Sequence, residues 1–432
     1  MAKTRNSKPN LLSRFFSTLG PGVITGAADD DPSGIATYSM AGAQLGTSLL
    51  WTALLTWPLM AAVQMMCARI GMVTGAGLAG ALREKFPKFL LIVVCLALVT
   101  ANTINIGADL SAMADAAELL TDLDSHVLVM VFGIGIGYAT IRLPYYRIAN
   151  TLKWLALSLF AYVITAFVIG PDWKKVLHDA FVPSLPHGKD AWAMLVAILG
   201  TTISPYLFFW QASQEVEEMR TERSRPRLPL KILTRGGGAE LTRISIDTTV
   251  GMVFSNIIAY FIIIATASTL HALGLTQIQT AAEAAEALRP IAGDLAFLLF
   301  ALGIIGTGLL AIPVLAGSAA YAVAEVFGWP STLEAKFPEA IGFYTIISAA
   351  TLIGFAMSFL PINPIELLVW TAVINGRSYH GDDDVNRDQS SGHGPISGAA
   401  VACLGWLGGN SSDGHHRRGI AMVTAALSSM TS

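Results

Sequence analysis

The chain has 432 residues, 53% of them hydrophobic and only 13% charged, with a formal net charge of −3; soluble domains carry roughly 25% charged residues, so most of this chain belongs in a bilayer. There is no basic excess, and the aromatics fall in apolar runs rather than among Lys and Arg, which argues against nucleic-acid binding. Cys67, Cys95 and Cys403 are too few and too scattered for a disulfide framework or a thiolate metal cluster, and the first two read as helix-packing residues.

In chain order, Lys3, Arg5, Lys8 and Arg14 precede the first apolar run. That run is too long, and too interrupted by Asp, for a signal peptide, so residues 1–18 read as a cytoplasmic tail. Apolar segments of about 20 residues, enough to cross a hydrocarbon core, follow at ten places. They lie at approximately 19–45, 48–69, 89–112, 126–142, 150–170, 191–212, 248–270, 294–322, 340–360 and 363–376, so 19–376 forms one transmembrane domain with a short last helix. The loops agree with an N-terminus on the cytoplasmic side, where positive residues collect. Arg69, Arg83, Lys85 and Lys88 follow the second segment, and Arg142, Arg147 and Lys153 follow the fourth. The internal loop 213–245 holds Arg220, Arg223, Arg225, Arg227, Lys231, Arg235 and Arg243, whereas the external turn after the third segment carries Asp115, Glu118, Asp122 and Asp124. Within that internal loop Gly236-Gly237-Gly238 reads as linker, because no Lys-Ser/Thr follows it and no strand precedes it.

Two segments contain what a spanning helix should not. Asp29-Asp30-Asp31-Pro32-Ser33-Gly34 interrupts the first and Gly200-Thr201-Thr202-Ile203-Ser204-Pro205-Tyr206 the sixth. Carboxylates in hydrocarbon are costly, and Pro32 and Pro205 each remove a helix hydrogen bond, so both stretches make sense only where they line a polar cavity. A carboxylate at that depth points to a cation path. The breaks lie five spans apart and therefore run in opposite directions through the membrane, as inverted repeats require. The expected fold is all-α: a polytopic protein of two inverted five-helix repeats, discontinuous in helices one and six, with substrate near the midplane between the breaks.

After Asn375 the pattern turns polar, and residues 377–432 read as an atypical tail. Its Gly, Ser and Asp content fits a flexible segment, and the loss of the apolar run in mid-span also fits a frameshifted gene end. The spacing of His380, His393, His415 and His416 suits no compact metal site.

The motif Asp31-Pro32-Ser33-Gly34-Ile35-Ala36-Thr37, with Gly20-Pro21-Gly22 before it, resembles the first helix of the natural resistance-associated macrophage protein (NRAMP) family of divalent-metal transporters. Arg69-Ile70-Gly71-Met72-Val73-Thr74-Gly75, Gly107-Ala108-Asp109-Leu110 and the stretch from Gly200 to Pro205 extend the likeness over about residues 15–375. In that family the metal ligands are the first-helix Asp and Asn, a sixth-helix backbone carbonyl and a Met thioether. The resemblance implies that the matching positions here are Asp31, Gly34, Thr201 and Ser204. Loss of the thioether favours harder ions, for which carboxylate, carbonyl, hydroxyl and water are the suited donors. Gly34 also widens the site for an ion that keeps several waters, as Mg²⁺ prefers. The pattern is most similar to the NRAMP-related magnesium transporters. Of the family's proton-coupling groups only Asp109 is matched; Ala112 replaces the second acid and Tyr206 stands at the His position, with an unperturbed pKa of about 10. Uptake driven by the ion gradient and the membrane potential, about 4.6 kcal/mol per divalent ion at 100 mV, is therefore expected.

Asp30, Asp109, Tyr206 and Gln211 are candidates to neighbour the ligands or line the pathway, while Asp29 stays open between a ligand, a cation-attracting carboxylate and a solvated neighbour. The Thr202 hydroxyl reads as back-bonded to its own helix; for Ser204 that role and ligation stand level. Asn102 and Asn105 read as interhelical glue, Asp247 as a cap of its own helix, and Gly303, Gly306 and Gly308 as close-packing positions. The expected function is secondary uptake of a hard divalent cation across the inner (cytoplasmic) membrane by alternating access. The metal is substrate, no cofactor is needed, and no obligatory protein partner is evident. The alternatives are a proton-coupled Mn²⁺/Fe²⁺ symporter of the same family, an amino-acid carrier of the same architecture, whose substrate carboxylate Asp31 would repel, and an intramembrane aspartyl enzyme, for which only Asp109 could partner Asp31.

Overall fold

A computed structural model describes residues 20–142, 159–184, 189–223, 237–278, 280–333, 335 and 337–359. The tail 1–18, the tenth segment 363–376 and the polar stretch 377–432 lie outside these residues, as do the first half of the fifth segment and the middle of the internal loop. Among the described residues the chain is entirely helical, as expected, with no strand. In chain order the helices are α1 (Pro21–Asp29), α2 (Pro32–Leu45), α3 (Leu50–Thr74), α4 (Leu78–Arg83), α5 (Lys88–Thr121), α6 (Ser125–Arg142) and α7 (Phe160–Ile169). They continue with α8 (Trp173–Phe181), α9 (Lys189–Thr202), α10 (Pro205–Arg223), α11 (Gly237–Thr269), α12 (Ala281–Phe327) and α13 (Ile341–Met357). Among the described residues, five stretches are long and apolar enough to cross a membrane by length and composition: Leu50–Thr74, Lys88–Thr121, Ala191–Met219, Leu241–Leu273 and Gly293–Phe327.

Both expected breaks are present, and local chemistry accounts for each. Asp31 is extended (φ −65°, ψ 166°) and its carboxylate accepts from the Gly34 amide, so it caps α2, while Pro32 opens that helix where no N–H is needed. In the sixth span α9 stops at Thr202 and α10 restarts at Pro205, leaving Ile203 and Ser204 between them. The restart again uses proline at the first helical position.

Several spans run further than hydropathy alone indicates. α5 continues to Thr121, so Asp115 and Glu118 are helical rather than part of a turn, and α11 begins at Gly237 rather than near residue 248. Charged or polar side chains at these ends lower the hydropathy without stopping the helix. A further helix at 281–292 joins the eighth span across Gly293, which takes φ 84°, a conformation glycine adopts without strain.

The core is built around α5, α11 and α12. α12 lies along α5, α11 packs against α1, α2 and α3, and the two broken spans meet as α9 against α2 and α10 against α1. The α1–α11 crossing is close enough for backbone contact. A Cβ on Gly22 would come within 2.7 Å of the Asp247 carbonyl carbon, and one on Gly26 would land on the Gly251 carbonyl. Gly26→Ala is therefore expected to destabilise the chain by about 3 kcal/mol, the upper end for overpacking, because backbone cannot rotate away. Gly135→Ala, whose Cβ meets nothing within 4 Å, should leave the thermal unfolding midpoint in detergent unchanged or slightly raised.

Candidate functional site

The two breaks place three oxygen-bearing groups around Gly34. A Cβ built there would lie 3.3 Å from the Asp29 carbonyl, 3.3 Å from Asp31 Oδ1 and 3.4 Å from the Thr201 hydroxyl. These oxygens converge on the position a side chain at 34 would take, and Thr201 of α9 is among them. Asp31 is only 3% exposed; its Oδ1 accepts from the Ser33 hydroxyl at 2.6 Å and the Gly34 amide at 2.7 Å. These donors orient the carboxylate while its second oxygen stays clear of them. The Ser204 hydroxyl donates to the Thr201 carbonyl at 2.6 Å, so Ser204 back-bonds within its own segment and engages the carbonyl that the family resemblance nominates.

Asp109 of α5 is fully buried; among the described residues neither carboxylate oxygen has a partner in good hydrogen-bond geometry, and its neighbours at the break are the Ser33 amide and Asp31. Tyr206 donates to the Ala28 carbonyl at 2.7 Å, tying the start of α10 to the end of α1. Its hydroxyl proton is committed to a backbone acceptor. Thr202 donates to the Ile198 carbonyl at 2.8 Å, as the sequence indicates, which makes Tyr38 the donor in the 3.0 Å contact between the two hydroxyls. Asp29 accepts from Ser255 of α11 at 2.7 Å. Among the described residues no three His, Cys, Asp or Glu side chains form a metal-holding group. A cation here would draw on carboxylates singly or in pairs and fill its shell with hydroxyl, carbonyl and water oxygens, as hard divalent ions do.

A model of the family described as natural resistance-associated macrophage protein-like matches residues 22–377. The chain belongs to that family. The divalent metal cation transporter MntH of Mesorhizobium japonicum is 26% identical over 312 residues, which cover 68% of this chain and 64% of that protein. The Yersinia pestis (strain Pestoides F) protein of the same name is 28% identical over 308 residues, 68% of this chain and 69% of its own length. This chain thus spans about two thirds of the length of these relatives. The crystal structure of the Eremococcus coleocola manganese transporter, in complex with an aromatic bis-isothiourea substituted compound, aligns with a TM-score of 0.61 at 15% identity, over 99% of this chain and 95% of that one. That likeness shows a shared fold, which in this NRAMP chain carries its two breaks where the sequence puts them.

Gln211 bonds across to the seventh span. It is fully buried, and its amide donates to Thr248 of α11 at 2.7 Å. Asn102 bridges α5 to α12 through the Leu315 carbonyl and Ser318, as interhelical glue should. Gly303 packs against the Tyr162 ring and Gly308 against Met113 and Pro32. The expectation that Asp247 caps its own helix is corrected: it lies ten residues inside α11 (Gly237–Thr269) and accepts from the Gly20 and Gly22 amides at 2.8 and 2.7 Å. It therefore caps α1, where unpaired N–H groups attract a carboxylate. Ser255 escaped notice because one hydroxyl in an apolar helix carries no signal of what it faces. Beyond the breaks, Glu217 of α10 accepts from Tyr321 at 2.7 Å and from the Leu333 amide at 2.8 Å, and Glu325 of α12 accepts from Ser213 at 2.9 Å and Gly80 at 3.0 Å. The Tyr321 and Ser213 bonds tie α10 to α12, the Gly80 bond ties α4 to α12, and the Leu333 bond holds the segment after α12 to α10.

Proposed function

We propose that this NRAMP protein is a secondary carrier that takes hard divalent cations, Mn²⁺ and Mg²⁺ among them, across the cytoplasmic membrane, with its N-terminus on the cytoplasmic side. The observation that carries the reading is the buried Asp31 carboxylate at a helix break, beside the space left by Gly34 and next to the Thr201 hydroxyl and the Asp29 carbonyl. An intramembrane acid in such a setting needs a functional partner, and this one is surrounded by oxygen donors suited to hard ions. The relatives are named for divalent metal cations and for manganese, which makes Mn²⁺ the first ion to test. The breaks serve as hinges: α1 and α10 move relative to α2 and α9, so that the site opens alternately to each side.

Transport is driven by the ion gradient and the membrane potential. Tyr206, which stands at the family's His position, holds its proton on the Ala28 carbonyl and offers no site for a second one near neutral pH. The test is uptake of Mg²⁺, Mn²⁺ and Ca²⁺ into proteoliposomes carrying an internal pH dye. Mg²⁺ and Mn²⁺ uptake without acidification is the expected result. Uptake restricted to Mn²⁺ and accompanied by acidification would replace this reading with a proton-coupled symporter; no uptake above empty liposomes would end the transport reading.

A further inference from the structure

Asp29, Asp30, Asp31 and Asp109 lie together inside the protein at 1%, 0%, 3% and 0% exposure. Among the described residues, the charges that act on these groups are carboxylates: Asp31 on Asp29 and on Asp109, and both Asp29 and Asp31 on Asp30. If all four are ionised, a single divalent cation at Asp31 leaves two negative charges uncompensated in a low-dielectric interior, a costly arrangement.

The donors nearby relieve that charge only in part: Ser33 and Gly34 donate to Asp31, and Ser255 to Asp29. Among the described residues, both oxygens of Asp30 and Oδ1 of Asp29 are buried without a hydrogen-bond partner. The three tyrosines around them are committed elsewhere: Tyr38 to Thr202, Tyr206 to the Ala28 carbonyl and Tyr162 to the Phe300 carbonyl at 3.4 Å. The hydroxyl that does reach the pair is Ser255 of α11, which donates to Asp29 and lies beside the Asp30 carboxylate. This group is offset from the Asp31 site, because Asp31 turns back onto the N-terminus of α2 whereas Asp29 turns toward α11.

We propose that Asp29 and Asp30 of α1, with the Ser255 hydroxyl of α11, bind a second divalent cation beside the Asp31 site. Two carboxylates and a hydroxyl are hard donors, and the pair's charge matches a divalent ion. Two divalent ions balance the four acids. The proposal rests on the carrier reading above, since the Asp31 site must take an ion of the same class.

The experiment is equilibrium dialysis of the full chain in lipid nanodiscs against Mn²⁺. Wild type is expected to bind two ions, Asp29→Asn with Asp30→Asn one, and Asp31→Asn one. The affinity remaining in the Asp29/Asp30 variant should stay within about threefold of the wild-type Asp31 site. Ser255→Ala, a milder change, should weaken one of the two sites about tenfold and spare the other. One ion in wild type, retained in the Asp29/Asp30 variant and lost in Asp31→Asn, would overturn the second site and leave the carrier reading standing; protons would then neutralise the pair. No Mn²⁺ binding in wild type would overturn both. Two ions that persist in both the Asp29/Asp30 and Ser255 variants would place the second site elsewhere and also overturn the proposal.

Discussion

Asp31→Asn is expected to lower divalent-cation uptake into proteoliposomes at least about 100-fold, equivalent to about 3 kcal/mol and within the range for losing one member of a buried charge pair. The substitution separates binding from folding. Asn is as good an N-cap as Asp, so α2 keeps its start, and the amide oxygen can still accept from Ser33 and Gly34 as Oδ1 now does. What disappears is the negative charge and the second carboxylate oxygen. The protein should therefore purify as a monodisperse species with an unfolding midpoint close to wild type, while Mn²⁺ and Mg²⁺ fluxes fall together. Retention of more than about a tenth of the wild-type flux would exclude Asp31 as the principal ligand.

Gly34→Asn combined with Ser204→Met should invert the ion preference, raising the Cd²⁺-over-Mg²⁺ uptake ratio by about 10- to 100-fold, because a thioether favours soft ions and an amide narrows the space for a hydrated one. Geometry allows the change but constrains it. The Cβ at 34 would sit 3.3–3.4 Å from three oxygens, so those neighbours must yield by a few tenths of an ångström. Removing the Ser204 hydroxyl also releases the Thr201 carbonyl from its 2.6 Å bond, leaving it free to face an ion. Competition uptake with both ions present reads the ratio directly. A ratio unchanged from wild type would mean that the donor set at these positions does not set selectivity.

Both helix breaks and the helical character of the chain were legible in the residues themselves, and the resemblance nominated ligand positions at the breaks. A break needs only a few consecutive residues: Asp31 folds back on the Gly34 amide, and Pro32 and Pro205 open the following helices, all within one turn. Hydropathy needs only a window of about 20 residues. Neither signal carries a direction around the helix axis, because the long spans are apolar on most sides. For that reason it is packing that makes Asp247 cap α1 across 225–227 residues of chain, that gives Asp29 the Ser255 hydroxyl across 226, and that pairs Gln211 with Thr248. A buried polar group takes its partner from whichever helix faces it, and facing is settled by packing. The Gly22 and Gly26 crossing with α11 brings two backbones together so closely that the neighbouring side chains have only one set of partners within reach.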